Sequence, residues 1–184
     1  MSKAATVLFV FAAFLGLPTF AIAQQQGQHL IVGTYNVVGS NSCQTNEVGY
    51  TPYPDLFALG LTHTVSNSWE STMTFHANGQ VHEVTRGAFS VGGYQPVGTY
   101  EAVCDYTSTL NADGSLTLNG GCNGSVTAGI VMGEIDSSTG VRFKVIHGSG
   151  SLLLSEAGTS VETLTTNMSG THYRICQGHG VGVR

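Results

Sequence analysis

Two histidines and a glutamate form the densest group of potential metal ligands in the sequence: His76, His82 and Glu83. They lie around Asn78-Gly79, a residue pair that is typical of the turn of a β-hairpin. A two-residue turn would place the histidines on opposite faces of the hairpin, whereas a three-residue turn would place them on one face. Because a protein metal site needs three or four converging ligands, solvated side chains on an outward face are the favoured interpretation. A metal site at these three residues is the alternative.

The sequence contains no arrangement that is typical of covalent or carboxylate catalysis. No serine occupies a Gly-x-Ser-x-Gly motif. Glu101 and Asp105 lie four positions apart, so on one strand they are separated by ~13 Å, which exceeds the carboxylate spacing of glycoside hydrolases. A carboxylate pair from two different strands is left open. We predict no catalytic residue and no cofactor, and we favour a protein that is not an enzyme.

Cys104 and Cys122 flank the turn Asn111-Ala112-Asp113-Gly114 at nearly equal distances. If residues 112–114 form a three-residue loop with Gly114 in the left-handed conformation, the two cysteines oppose each other. Opposed Cβ atoms lie ~4.5–5.5 Å apart, which is close to what a disulfide requires. The cysteine face then carries Tyr106, Leu110, Leu116 and Leu118, and the other face carries Asp105, Thr107, Thr109, Ser115, Thr117 and Asn119.

The other two cysteines are Cys43, beyond the first predicted strand, and Cys176, near the end of the last one. Four cysteines allow three pairings, and the sequence alone does not decide among them. We favour Cys104–Cys122 with Cys43–Cys176, because the first and last strands of an up-and-down barrel are neighbours. No Cys-x-x-Cys motif occurs, so neither a zinc knuckle nor a redox pair is indicated.

The positioning of all these residues depends on β-strands. Frequent Asn-Gly and Asp-Gly pairs separate about ten short runs rich in Val, Ile, Thr, Tyr and Phe between His29 and Gln177. One of these predicted strands is Ser125–Ile135. No run has the length and period of a crossover helix, so neighbouring strands are predicted to be antiparallel. We predict an all-β fold in which a meander closes into a single β-barrel of about 8–10 strands, with a β-sandwich as the alternative. The least regular part is predicted between Gly39 and Ser68.

The first 23 residues are typical of a secretory signal peptide: Lys3, an apolar run to Leu17, Pro18, and small residues at Ala21 and Ala23. We predict a signal helix that is cleaved between Ala23 and Gln24, a secreted or periplasmic protein, and one domain over residues 24–184 without a transmembrane segment. That domain has five basic and eleven acidic residues, hence a net charge of −6 with neutral histidines. Such a charge makes nucleic acid an unfavourable partner.

Aromatic residues occur on many of the predicted strands and could line a cavity, with Arg174 as an inward charge. A filled core is the favoured alternative. The candidate ligand-binding residues are Tyr35, Trp69, Tyr100, Tyr106, Phe143 and Arg174.

The Gly-Thr-Tyr openings at 33–35 and 98–100, together with the hairpin after Tyr100, resemble small secreted β-barrels of the calycin or allene-oxide-cyclase-like kind. That resemblance implies a closed antiparallel barrel that can carry a hydrophobic ligand. The first hypothesis is therefore a non-enzymatic, exported barrel that binds a small apolar ligand or a protein partner. An isomerase- or cyclase-like enzyme with a cavity site is the second, and a packed structural or envelope-associated protein is the third. The oligomeric state is left open.

Overall fold

The computed structural model describes residues 31–92 and 94–184, apart from the side chains at 94–97 and 141. The predicted signal peptide and its cleavage site lie outside the described residues. Nine strands are present: β1 Gly33–Asn46, β2 His63–Phe75, β3 Gln80–Val91, β4 Tyr94–Leu110, β5 Leu116–Ala128, β6 Val131–Gly148, β7 Ser151–Ala157, β8 Glu162–Thr166 and β9 Gly170–Val183.

The strands form a closed antiparallel barrel, which confirms the predicted fold class. Each strand from β1 to β6 pairs with the next one, β7 pairs with β9, and β9 returns to β1. The short strand β8 lies between β6 and β9 as well, paired with their opposite halves. The barrel therefore has eight strand positions around its circumference. β7 and β8 share one of these positions, one after the other, and the strand is interrupted between them at residues 158–161.

The β4–β5 hairpin has the predicted register. Leu110 pairs with Leu116 and Cys104 with Cys122, and Gly114 has a φ of 82°, which a glycine adopts without strain. The leucines and cysteines point inward, as predicted. Ser115 was expected on the polar face, but it is buried, and its hydroxyl donates to Asp113 Oδ1 at 2.5 Å.

Both disulfides join directly opposed residues of neighbouring strands. Cys104 is bonded to Cys122, and Cys43 to Cys176, each with a Cα–Cα distance of 4.0 Å. The second bridge connects β1 with β9, where the barrel closes. The favoured pairing is therefore confirmed.

The strands are longer than the sequence predicts. Residues 39–46 continue β1 and residues 63–68 continue β2, although both lie in the part predicted to be irregular. Serine and asparagine have low strand propensity, but each of these residues pairs across the ladder. Gly39 contributes in a specific way: a Cβ at that position would lie 2.3 Å from the indole ring of Trp69, so glycine lets the indole pack against the wall.

An apolar core fills one half of the barrel. The alternation along each strand sends every second side chain inward, and the largest fully buried ones include Tyr35, Met73, Phe143, Leu116 and Leu154. Trp69 packs against Phe143 with ring centroids 5.9 Å apart, and Tyr35 meets Phe75 edge to face at 5.8 Å. This core holds the strand ends and their loops in fixed positions.

Candidate functional site

The predicted metal ligands are divided between the two faces of the barrel wall. The β2–β3 turn has three residues, since Phe75 pairs with Val81. His82 is exposed on the outside, with Nδ1 2.9 Å from Asp105 Oδ1, whereas Glu83 is buried inside. The structure does not bring His76, His82 and Glu83 together, and no group of three or more His, Cys, Asp or Glu residues in the described ranges could hold a metal ion.

The candidate ligand-binding residues all point into the barrel. Tyr35, Trp69, Tyr106 and Phe143 are buried in the core, and Tyr100 is partly buried against it. Arg174 is turned inward, as predicted, and its guanidinium lies 2.9 Å from Glu162 Oε2. The five aromatic side chains belong to the apolar core or pack against it. Binding of a ligand by them remains a prediction.

A layer of buried charges, of which the sequence predicted only Arg174, crosses the barrel beside the apolar core. Its members are Glu83, Arg142, Glu156, Glu162 and Arg174. Tyr106 donates to Glu83 Oε2 at 2.8 Å, and Asn41 Nδ2 donates to Glu156 Oε2 at 2.5 Å. Glu156 and Glu162 border the break between β7 and β8. Two members of the layer therefore lie beside the break at residues 158–161.

Arg142 reaches the interior because of a β-bulge. Leu118 pairs with Phe143 but Asn119 pairs with Val141, so Arg142 is an extra residue in β6. A bulge reorients the side chain of such a residue. Its Nη1 lies 3.3 Å from Cys122 Sγ, and its Nε lies 3.7 Å from Glu156 Oε1, an ion pair that is too long for a hydrogen bond. Strict alternation from Phe143 would have placed this arginine outside.

Burial sets the protonation behaviour of this layer. Burial raises the pKa of Glu156, and the guanidinium of Arg142 opposes that effect. Burial also raises the pKa values of Tyr100 and Tyr106. Tyr106 and Glu83 are titratable groups in hydrogen-bond contact, as an enzyme would need. They are enclosed by core side chains, however. Two open hollows, of about 600 and 880 Å³, lie over β1–β5, and the smaller one is lined by Trp69 and Tyr100 as well as by the outward Glu70, Arg86 and Glu101.

The two ends of the barrel differ sharply in character. In an up-and-down barrel the connections β1–β2, β3–β4, β5–β6 and β8–β9 share one end, and β2–β3, β4–β5 and β6–β7 share the other. The second group reads His-Ala-Asn-Gly, Asn-Ala-Asp-Gly-Ser and Ser-Gly, without a large apolar residue. The first group, with the adjoining start of β6, exposes nine large apolar side chains: Val48, Tyr53, Phe57, Leu59, Leu61, Ile130, Val131, Met132 and Met168. We call these residues and their connections the apolar end.

The β1–β2 connection, residues 47–62, contributes five of these nine side chains in an ordered arrangement. It folds into a small hairpin in which Tyr50 bridges Ala58, and Thr51 N donates to Phe57 O at 2.9 Å. Tyr50 also anchors it to β1, because its hydroxyl donates to Gln44 O at 2.6 Å. Leu61 is nevertheless 89 % exposed. The loop therefore holds its apolar side chains outward instead of folding over them.

The β5–β6 turn is equally unusual. Gly129 has a φ of 63°, the conformation that a two-residue hairpin turn requires, and the other turn residue is Ile130, which is 100 % exposed. Turn positions are usually taken by Gly, Asn, Asp, Ser or Pro. Ile130 contributes nothing to this turn that a polar residue could not. Its presence, beside the exposed Met132, points to a contact outside the chain.

Comparison of this chain with protein-family models, with curated proteins and with solved structures gave no match. The resemblance to calycin-like barrels thus remains an interpretation of the sequence. Within residues 31–92 and 94–184, no helix is long and apolar enough to cross a membrane.

The apolar residues of this end are visible in the sequence, but the predicted strands did not identify them as residues of surface connections. Ile130 was assigned to the interior of one predicted strand, residues 125–135, whereas the structure has a turn at that point. Phe57, Leu59 and Leu61 lay in the segment predicted to be irregular. Apolar residues in a surface connection are the recognisable feature, because most connections run over the surface and are polar.

Proposed function

We propose that this protein is an exported, non-enzymatic, disulfide-stabilised barrel that attaches to the surface of a lipid membrane through its apolar end. The observation that carries the proposal is the presence of nine exposed large apolar side chains at one end, on three connections and the adjoining start of β6. The two disulfides are compatible with an oxidising compartment outside the cytoplasm. Export itself rests on the predicted signal peptide.

The number and grouping of these side chains distinguish them from ordinary surface residues. Single exposed apolar residues are common on proteins, but a continuous apolar group at one place indicates an interaction site. Burying one large apolar side chain contributes roughly 1.5–3 kcal/mol. Partial insertion of several such side chains is therefore sufficient for reversible attachment. Tyr53 adds the amphipathic ring that is favoured at the membrane–water interface.

The outer wall favours attachment over insertion of the whole barrel. A row of charged residues crosses it, since Glu70 pairs with Arg86 and Arg86 with Glu101 in register on neighbouring strands. Arg86 forms an ion pair with Glu70 on this exposed face. Charged side chains on a wall that faces lipid are strongly destabilising near the middle of a bilayer. The wall is therefore assigned to water, and only the apolar end to lipid.

A protein partner is the principal competing occupant of the apolar end. Lipid is favoured because a lipid interface accommodates exposed apolar side chains from several connections without a complementary surface. A protein partner would need a concave apolar counterpart for each connection. Binding of a small apolar ligand inside the barrel is less well supported, because the interior side chains pack against each other.

Vesicle flotation tests the proposal. Purified mature chain, residues 24–184, is mixed with phosphatidylcholine vesicles, and the fraction that floats with them is measured. We expect wild-type protein to float, Ile130→Ser with Leu61→Ser to stay in solution, and Ile146→Ser to float like wild type. Ile146 is a matched control, because it is an exposed isoleucine on the outer wall of β6. Wild-type protein that does not float, or equal loss in the control, would overturn the proposal.

A further inference from the structure

The charges around the apolar end point to the class of lipid. We infer, on the basis of the proposed function, that the apolar end recognises an uncharged or zwitterionic lipid surface and is repelled by an anionic one. Four exposed carboxylates lie in or next to the connections of this end: Glu47, Asp55, Glu134 and Asp136. None of them forms an ion pair with another described residue. The end thus presents unneutralised negative charge.

Asp55 is the carboxylate on which membrane insertion would act most directly. It lies between the exposed Tyr53 and Phe57, two residues from each, at the far side of the small hairpin formed by residues 49–59. Insertion of these two aromatic side chains brings the Asp55 carboxylate to the level of the lipid headgroups. A layer of anionic headgroups would repel it, whereas a choline headgroup offers it a positive charge.

The basic residues of the described chain are placed where they cannot compensate. The segments 47–62, 129–136 and 167–173 contain no lysine or arginine. Arg142 and Arg174 are turned inward against Glu156 and Glu162, and Arg86 is paired with Glu70 on the wall.

The two remaining cations, Lys144 and Arg184, lie towards the polar end. Lys144 contacts Asp113 of the β4–β5 turn at 2.5 Å, and Arg184 lies over the Tyr35 ring at 5.2 Å. Lys144 is thus neutralised by Asp113, as Arg86 is by Glu70, and neither cation offsets the carboxylates of the apolar end. Proteins that bind anionic lipid have the opposite arrangement, with Lys and Arg beside the inserting residues.

Flotation on vesicles of two compositions tests this inference: phosphatidylcholine alone, and phosphatidylcholine mixed with an equal amount of phosphatidylglycerol. We expect several-fold weaker binding to the mixed vesicles at low salt, and near-equal binding at high salt, because salt screens exposed charges. Glu47→Gln with Asp55→Asn should restore binding to mixed vesicles at low salt. The matched control is Glu101→Gln, an exposed carboxylate on the outer wall, which should leave the difference unchanged.

The outcomes separate the inference from the proposed function. Tighter binding to the mixed vesicles, or no effect of the Glu47 and Asp55 changes, overturns the lipid preference and leaves membrane attachment standing. No binding to either composition overturns attachment, and the lipid preference with it. If the protein ignores both vesicles and instead forms a stable complex through the same residues with another protein, the occupant is a protein partner.

Discussion

Met168 in the β8–β9 turn packs directly on Gly133 near the start of β6. A Cβ atom at position 133 would lie 2.2 Å from the Met168 sulfur, so only glycine permits this contact. Asn167 adds a second connection, since its Oδ1 accepts from Glu134 N at 2.9 Å. Two of the three apolar connections are thereby fixed to each other, and their side chains form one surface instead of separate tips.

This contact predicts that Gly133→Ala displaces the Met168 side chain and weakens vesicle binding. The effect should be several-fold, with little change in the urea midpoint, because Met168 is a flexible, exposed side chain outside the core. Gly148→Ala is the control, since a Cβ there meets nothing closer than 3.4 Å. Unchanged vesicle binding in Gly133→Ala would show that the packed arrangement of these turns is not required.

The disulfides should differ in their contribution to stability. They span 133 and 18 positions of the chain, and the loop-entropy treatment gives at most about 5 kcal/mol for the longer and about 3 kcal/mol for the shorter. Replacing both members of Cys43–Cys176 with serine should lower the free energy of unfolding more than replacing Cys104 and Cys122. Urea titrations followed by circular dichroism measure both; the reverse order would contradict this assignment.

Glu156 predicts a dependence of stability on pH. Burial raises its pKa in the folded protein above the ordinary value of 4.5, so folding favours the protonated carboxyl. This contribution is fully present below 4.5 and is lost as the pH rises through the folded pKa. Glu156→Gln keeps an acceptor oxygen for Asn41 but cannot ionise. Unfolding free energies at a series of pH values should therefore fall less steeply above pH 4.5 in the variant, and an unchanged slope would contradict the assignment.

Arg142 should be essential to the buried charge layer. Arg142→Ala leaves Glu156 without its cation, and removing one partner of a buried ion pair costs roughly 3–5 kcal/mol. The double variant Arg142→Leu with Glu156→Leu removes both charges and should recover much of that loss. Urea titrations of the single and double variants make the comparison. A double variant less stable than Arg142→Ala would mean that the layer does not act as paired charges.

The register of the β4–β5 hairpin was predictable because two independent signals agreed. The leucines at 110, 116 and 118 and the cysteines at 104 and 122 all require one face, and a three-residue loop ending at Gly114 satisfies them together. The Cys43–Cys176 disulfide was predictable because the first and last strands of an up-and-down barrel are neighbours.

Other features could not be predicted, because no local signal marks them. The bulge that turns Arg142 inward depends on the register between β5 and β6, in a region that contains several glycines. The shared position of β7 and β8 depends on the closed topology, in which each of them pairs with both β6 and β9. The apolar end is different in kind. Its side chains were visible in the sequence, but their grouping depends on which connections share an end, and that is known only from the topology.

The most direct test of membrane attachment is the environment of residue 130 when vesicles are present. A nitroxide label at Ile130→Cys, at the apolar end, is compared with one at Asn78→Cys, in the β2–β3 turn of the polar end. On addition of phosphatidylcholine vesicles, the label at 130 should become accessible to oxygen and protected from a water-soluble nickel complex, while the label at 78 stays in water. A label at 130 that remains fully accessible to nickel at saturating vesicle concentration would contradict the account.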